Sequence, residues 1–217
     1  AILFAVVFFT HAASPVHQTG DSTFCLPTAA SMLREGNADI DEYAALAAFS
    51  PEFTVERVRG HMFNAFPIGT SLIAVPFVLV VDTTLDVLFR ISPGLHQQVR
   101  HRVVAYVRAR PLSTDPRLQE SRIAWYETAP LDCVYLRQFF EVILASLLVA
   151  LTAVALLRLA RAHMPRGPAL IVSLAFCFGT AAYSTASRGL WQHAPSMFLL
   201  TLVLLLLDAA RAKPYLA

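Results

Sequence analysis

The strongest apolar patterning lies late in the chain, where residues 169–183 and 195–207 form two hydrophobic runs separated by a short polar turn. With their small and aromatic flanks, both runs approach the roughly 17 to 25 residues that a bilayer-crossing helix needs. The pattern predicts a helical hairpin in a membrane, with Arg188, Trp191, Gln192 and His193 in its turn. A third run, 139–157, predicts another span. Residues 1–10 are apolar but too short to cross and lack the basic start of a signal peptide, so they read as the end of a first transmembrane helix that began earlier.

The stretch between these runs is mixed. Residues 24–33 place Phe24, Leu26, Ala29, Ala30 and Leu33 at helical spacing, with Gly36 in the position expected of a helix cap. Residues 37–43 read as the polar opening of another short helix, and both helices are expected to lie on the bilayer. Residues 66–88 are long and apolar enough to span, yet Pro67, Gly69, Pro76 and Asp82 interrupt them.

Charge orients the spans. Arg158, Arg161 and Arg166 precede the 169–183 run and Arg211 and Lys213 follow the next one, while the turn carries only Arg188. Because cytoplasmic loops are enriched in Lys and Arg, the turn belongs on the outer face. The 139–157 run then travels inward, and parity makes 66–88 an apolar hairpin or interfacial helix that returns to the outer face. Eight arginines against four acids in 89–137 pull the other way, although long loops weigh less in this rule. The resulting fold is all-α: a polytopic helical membrane protein with a large outer loop containing juxtamembrane helices. Its parts are the end of a first helix (1–12), the outer loop (13–137), a span (138–160), a cytoplasmic loop (161–168), a span (169–185), an outer turn (186–193), a span (194–210) and a cytoplasmic end (211–217).

Composition agrees: 56% hydrophobic and 15% charged residues exclude an ordinary soluble domain. The net charge of +2 is small and dispersed, so no nucleic-acid surface is expected. Cys25, Cys133 and Cys177 have no metal-binding spacing, and a Cys25–Cys133 disulfide is compatible with an oxidising compartment.

Several residues carry candidate chemistry, each with a plainer alternative. Asp21, just beyond the first helix, is placed to act as a general base or to cap the helix that follows. Asp39, Asp41 and Glu42 suit a hard cation or the solvated first turn of a helix. His61 with residues 66–70 shapes a pocket wall or a corner. Arg188, Trp191, Gln192 and His193 suit a lipid phosphate or an interfacial anchor. Glu141, near the outer end of a span, suits function, contact with water or a pair with Arg137.

In this order the chain resembles the N-terminal part of the GT-C superfamily of membrane glycosyltransferases, which includes the protein O-mannosyltransferases and lipid A aminoarabinose transferases. The resemblance rests on Asp21 after a first helix, then LPTAASMLREGNADIDEY, FPIGTSLIAVPF, the span containing Glu141 and the run from Thr180 to His193. It implies that Asp21 is the catalytic base, that the donor is a sugar on a polyprenyl phosphate, and that Arg188 meets the donor phosphate. It implies a multi-pass enzyme of the bacterial inner membrane, of which this chain is a piece inactive by itself. Ser22 stands where many members carry a second acid, so a divalent metal is compatible with the pattern but not required by it. A transporter or flippase segment for a lipid-linked or amphipathic substrate is the alternative, since transporters use broken helices such as 66–88.

Overall fold

A computed structural model describes residues 1–15, 20–111 and 113–211. Lys213, used above for orientation, and the rest of 212–217 lie outside the described residues. In chain order the helices are α1 (Ile2–Ala12), α2 (Cys25–Arg34), α3 (Ala44–Ala47), α4 (Gly69–Ile91), α5 (Pro93–Ala109), α6 (Pro116–Thr128), α7 (Arg137–His163), α8 (Arg166–Gly179) and α9 (His193–Arg211). Strands β1 (Val55–Val58) and β2 (His61–Asn64) lie between α3 and α4. The chain is 73% helix and 4% strand, so the all-α expectation holds except for this one antiparallel hairpin. Among the described residues, α4, α7 and α9 are long and apolar enough to cross a membrane.

The chain divides into two compact units, one of Gly20–Arg137 and one of Ala1–Thr19 with Gln138–Ala217. In the first, α2 ends as its sequence predicts. Gly36 takes φ +73°, a backbone that side chains resist, and the Glu35 and Gly36 amides both donate to the Ser31 carbonyl at 2.8 and 3.2 Å. Helices α5 and α6 pack around Val104, Val107, Tyr126, Ala129, Leu131 and Tyr135. Asp115 starts α6 by accepting the Arg117 amide at 2.9 Å, with Pro116 in the first turn, where its missing N–H costs nothing. Arg100 closes the far end of α6, donating to the Glu127 and Ala129 carbonyls at 2.8 and 2.9 Å.

Two expectations change. The hairpin reading of 66–88 gives way to a single 23-residue helix, α4, that passes through Pro76. A proline removes one backbone bond, but Thr70, Ser71, Ala74, Val78 and Val81 recur at helical spacing and are buried, so packing carries the helix past it. The span expected over 169–185 is divided. Helix α8 stops at Gly179, and after 14 residues it is about 21 Å long at ~1.5 Å per residue. Thr180 leaves the helix with its hydroxyl bonded back to the Phe176 carbonyl at 2.6 Å and accepting the Ala182 amide at 3.1 Å. A π-helical turn, Ala182–Ala186, follows.

Candidate functional site

Asp21 sits in a tight turn ahead of α2. Gly20 adopts φ +143°, and its carbonyl accepts both the Thr23 amide at 3.0 Å and the Thr23 hydroxyl at 2.7 Å. The cap position of α2 is Phe24, which supplies no side-chain bond. Asp21 therefore does not cap this helix. Its carboxylate makes no hydrogen bond among the described residues and is half-buried, while its neighbours Ser22, Thr23 and Phe24 are buried.

In the other unit, Arg188 is drawn inward instead of resting at a surface, being only 2% exposed. Its Nε donates to the Tyr183 carbonyl at 2.7 Å, its Nη1 donates to the His11 carbonyl at 3.1 Å, and its guanidinium lies 4.4 Å from the centre of the Tyr183 ring. No carboxylate pairs with it among the described residues, and its buried Nη2 meets no partner there. His11, which sequence reasoning missed, is wholly buried beside it, its ring edge-on to Phe178 and Tyr183 with centres 5.3 and 5.1 Å apart. One His11 nitrogen approaches the Cys177 carbonyl, but neither reaches hydrogen-bond geometry. Trp191 is half-buried, its indole N–H meeting no partner among the described residues, whereas Gln192 and His193 are exposed. A buried cation with a spare donor and no counter-charge is an arrangement that favours an anion. Glu141 is buried rather than reaching water, at 2% exposure.

The acidic cluster is regrouped. Glu42 accepts a hydrogen bond from Ser31, and His61 takes its place beside Asp39 and Asp41, with one ligand atom of each within 4.8 Å of the others. Asp41 Oδ1 accepts the Met62 amide and Oδ2 meets His61 Nδ1, both at 2.7 Å. His61 thus opens β2 as an exposed latch, and the pocket-wall reading is set aside. Asp41 is held below the usual carboxylate range by the Met62 amide and then by His61, and His61 is raised by its bond to Asp41.

One network was not expected. Arg34 Nη2 bridges Asp82 at 2.5 Å and Asp132 at 2.8 Å, and Asp82 also accepts the Cys133 amide at 2.9 Å. Burial opposes the Arg34 charge, but the two carboxylates overcome it and raise its pKa. The sequence signal was Asp82 itself, an acid in the middle of an apolar run. All three cysteines are buried, and no disulfide joins Cys25 to Cys133.

No family model, curated protein or solved structure matches the chain.

Proposed function

We propose that the chain is part of a bacterial inner-membrane glycosyltransferase that takes a sugar from a polyprenyl-phosphate donor and delivers it to an acceptor on the extracytoplasmic face. The observation that carries this reading is the buried Arg188 guanidinium, whose Nη2 has no partner among the described residues and no carboxylate to neutralise it. A donor phosphate oxygen supplies what that group lacks. Asp21 is the base: as the acceptor oxygen bonds to the anomeric carbon, its proton passes to the Asp21 carboxylate, and the carbon–oxygen bond to the phosphate breaks. Arg188 stabilises the charge gathering on the departing polyprenyl phosphate. The absence of a cap bond at Asp21 supports the base role, because its carboxylate is not spent on α2. Ser22 offers no second carboxylate beside it, so no step is routed through a metal.

The test is transfer by the full-length protein with a synthetic polyprenyl-phosphate sugar. Asp21→Asn is expected to lower the rate by about 10²–10⁴-fold, the usual contribution of a general base, with donor binding retained. Arg188→Met is expected to weaken donor binding first. Wild-type transfer by Asp21→Asn sinks the assignment, and substrate movement without turnover moves the chain to the transporter reading.

A further inference from the structure

Where α7 passes into α8, two arginines line one groove. Helices α1, α7 and α8, all of the unit Ala1–Thr19 with Gln138–Ala217, border about 640 Å³ there, within the roughly 300–1,000 Å³ of a small-molecule site. Its walls include Ile2 and Val6 of α1, Leu157 of α7 and Leu170 and Leu174 of α8, and Arg161 and Arg166 line it beside them. A spacing of four residues puts Leu157 and Arg161 on one face of α7, and Arg166, Leu170 and Leu174 on one face of α8. Each face therefore runs from apolar to cationic towards the same end, over about 6 Å on α7 and about 12 Å on α8 at ~1.5 Å per residue.

We propose that this groove holds an anionic phospholipid, with one acyl chain along the leucines and the headgroup phosphate between Arg161 and Arg166. A guanidinium offers several N–H donors in a fixed plane, which suits phosphate oxygens. Nothing on the groove competes for them. No carboxylate lines it, and α1 brings no ionisable side chain before His11, at its far end. The acid at this end of the unit, Asp208 of α9, is taken by His163 at 2.9 Å. Neither arginine has a carboxylate partner among the described residues, and both are exposed, so a phosphate can reach them.

Charge selects the occupant. Apolar walls alone would seat any hydrocarbon chain, whereas two guanidiniums without counter-charge at the mouth favour a negative headgroup, an arrangement by which basic pockets between membrane helices hold lipid phosphates. Val6 and Leu170 stay 47% and 38% exposed, so the groove is open to a lipid from the side. One wall is α7, long and apolar enough to cross a bilayer, which brings acyl chains to the groove. Arg158 is exposed near the same end of α7 but is not part of the lining, so it separates a built site from a merely cationic rim. The proposal rests on the membrane reading and not on sugar transfer.

The experiment is native mass spectrometry of the full-length protein released from nanodiscs of equal parts phosphatidylglycerol and phosphatidylcholine. The wild type is expected to retain phosphatidylglycerol in preference. An arginine near lipid phosphate contributes about fivefold, so the double variant Arg161→Gln, Arg166→Gln is expected to lose about 25-fold in retention. Arg158→Gln is expected to leave retention unchanged. Leu170→Trp, which fills the groove and keeps both arginines, is expected to lower it. Melting temperatures in lipid-free detergent are expected to match the wild type in every variant, and Arg161→Lys with Arg166→Lys, which keeps the charge, to recover most of the retention. Equal retention of the two lipids, or a loss in Arg158→Gln as large as in the double variant, leaves only a general attraction to lipid and overturns the proposal. Unchanged retention in Leu170→Trp means that no chain is seated, and retention of neither lipid means that protein fills the groove; each overturns it too.

Discussion

Arg188 and Asp41 resolve their charges in opposite ways. Arg188 is buried, stacked on Tyr183 and left with an unfilled donor, so its partner must come from outside the described residues. Asp41 is exposed and spends both oxygens locally, on the Met62 amide and on His61, which ties the segment before α3 to β2. This latch is pH-dependent with a definite sign. His61 is raised above its ordinary 6.5, so its contribution is complete below that value and fades as pH rises through the folded pKa. Asp41 is lowered from its ordinary 3.8, so its contribution is present above 3.8 and is lost as pH falls through the folded pKa. The latch therefore holds fully from about pH 4 to 6.5 and weakens on either side. An NMR titration should find the His61 midpoint above 6.5 and lowered in Asp41→Asn, with Asp39 still holding it up in part. A midpoint that ignores the substitution removes the latch.

Among the elements, α4 depends on the network that sequence reasoning missed. Asp82→Ala takes an acceptor from the Cys133 amide and one of the two carboxylates from Arg34. A buried group left without its partner costs about 1–3 kcal/mol. The lower end is expected, because Arg34 keeps Asp132 and its side chain is 37% exposed to water. Thermal unfolding of the full chain in detergent measures this, with Asp82→Asn expected to lose less because it keeps an acceptor for the amide. A melting temperature unchanged in Asp82→Ala would reduce the network to a surface ion pair. The legibility of each element follows the same physics. Helices α2, α7 and α9 could be read because their apolar spacing and length are local properties. The continuity of α4 could not, since Pro76 and Asp82 are local breakers and only the buried face from Thr70 to Val81 overrides them. Strands β1 and β2 have only four residues each, joined by Arg59 and Gly60, too short for alternation to stand out. Asp21 and Arg188 announced themselves by type and position. His11 did not, because the contact that marks it comes from Arg188, 177 residues later.

For the whole molecule, the question is which segments share a side of the membrane. His163 near the end of α7 lies 2.9 Å from Asp208 near the end of α9, so Arg158, Arg161, Arg166 and Arg211 gather around that end of their unit. The positive-inside rule predicts that this end is cytoplasmic and that the Arg188 turn faces outward. Helix α8 is shorter than a bilayer is thick, so a return crossing here would also need the residues up to the π-helical turn. Membrane-impermeant thiol labelling decides each step. The native cysteines are buried at 3% exposure or less, which makes the unsubstituted chain the blank. Single cysteines at the exposed positions Asn37, Ser121 and Gln192 are expected to label in intact cells, and one at Ala162 only after permeabilisation. Two comparisons isolate the two doubtful segments. Asn37 and Ser121 flank α4, so opposite labelling of that pair means that α4 crosses, against the expectation that this segment returns to the outer face. Ser121 and Gln192 flank α7 with α8, so opposite labelling of that pair means that the short α8 does not complete its return, and Arg188 could not then face a donor on the outer side.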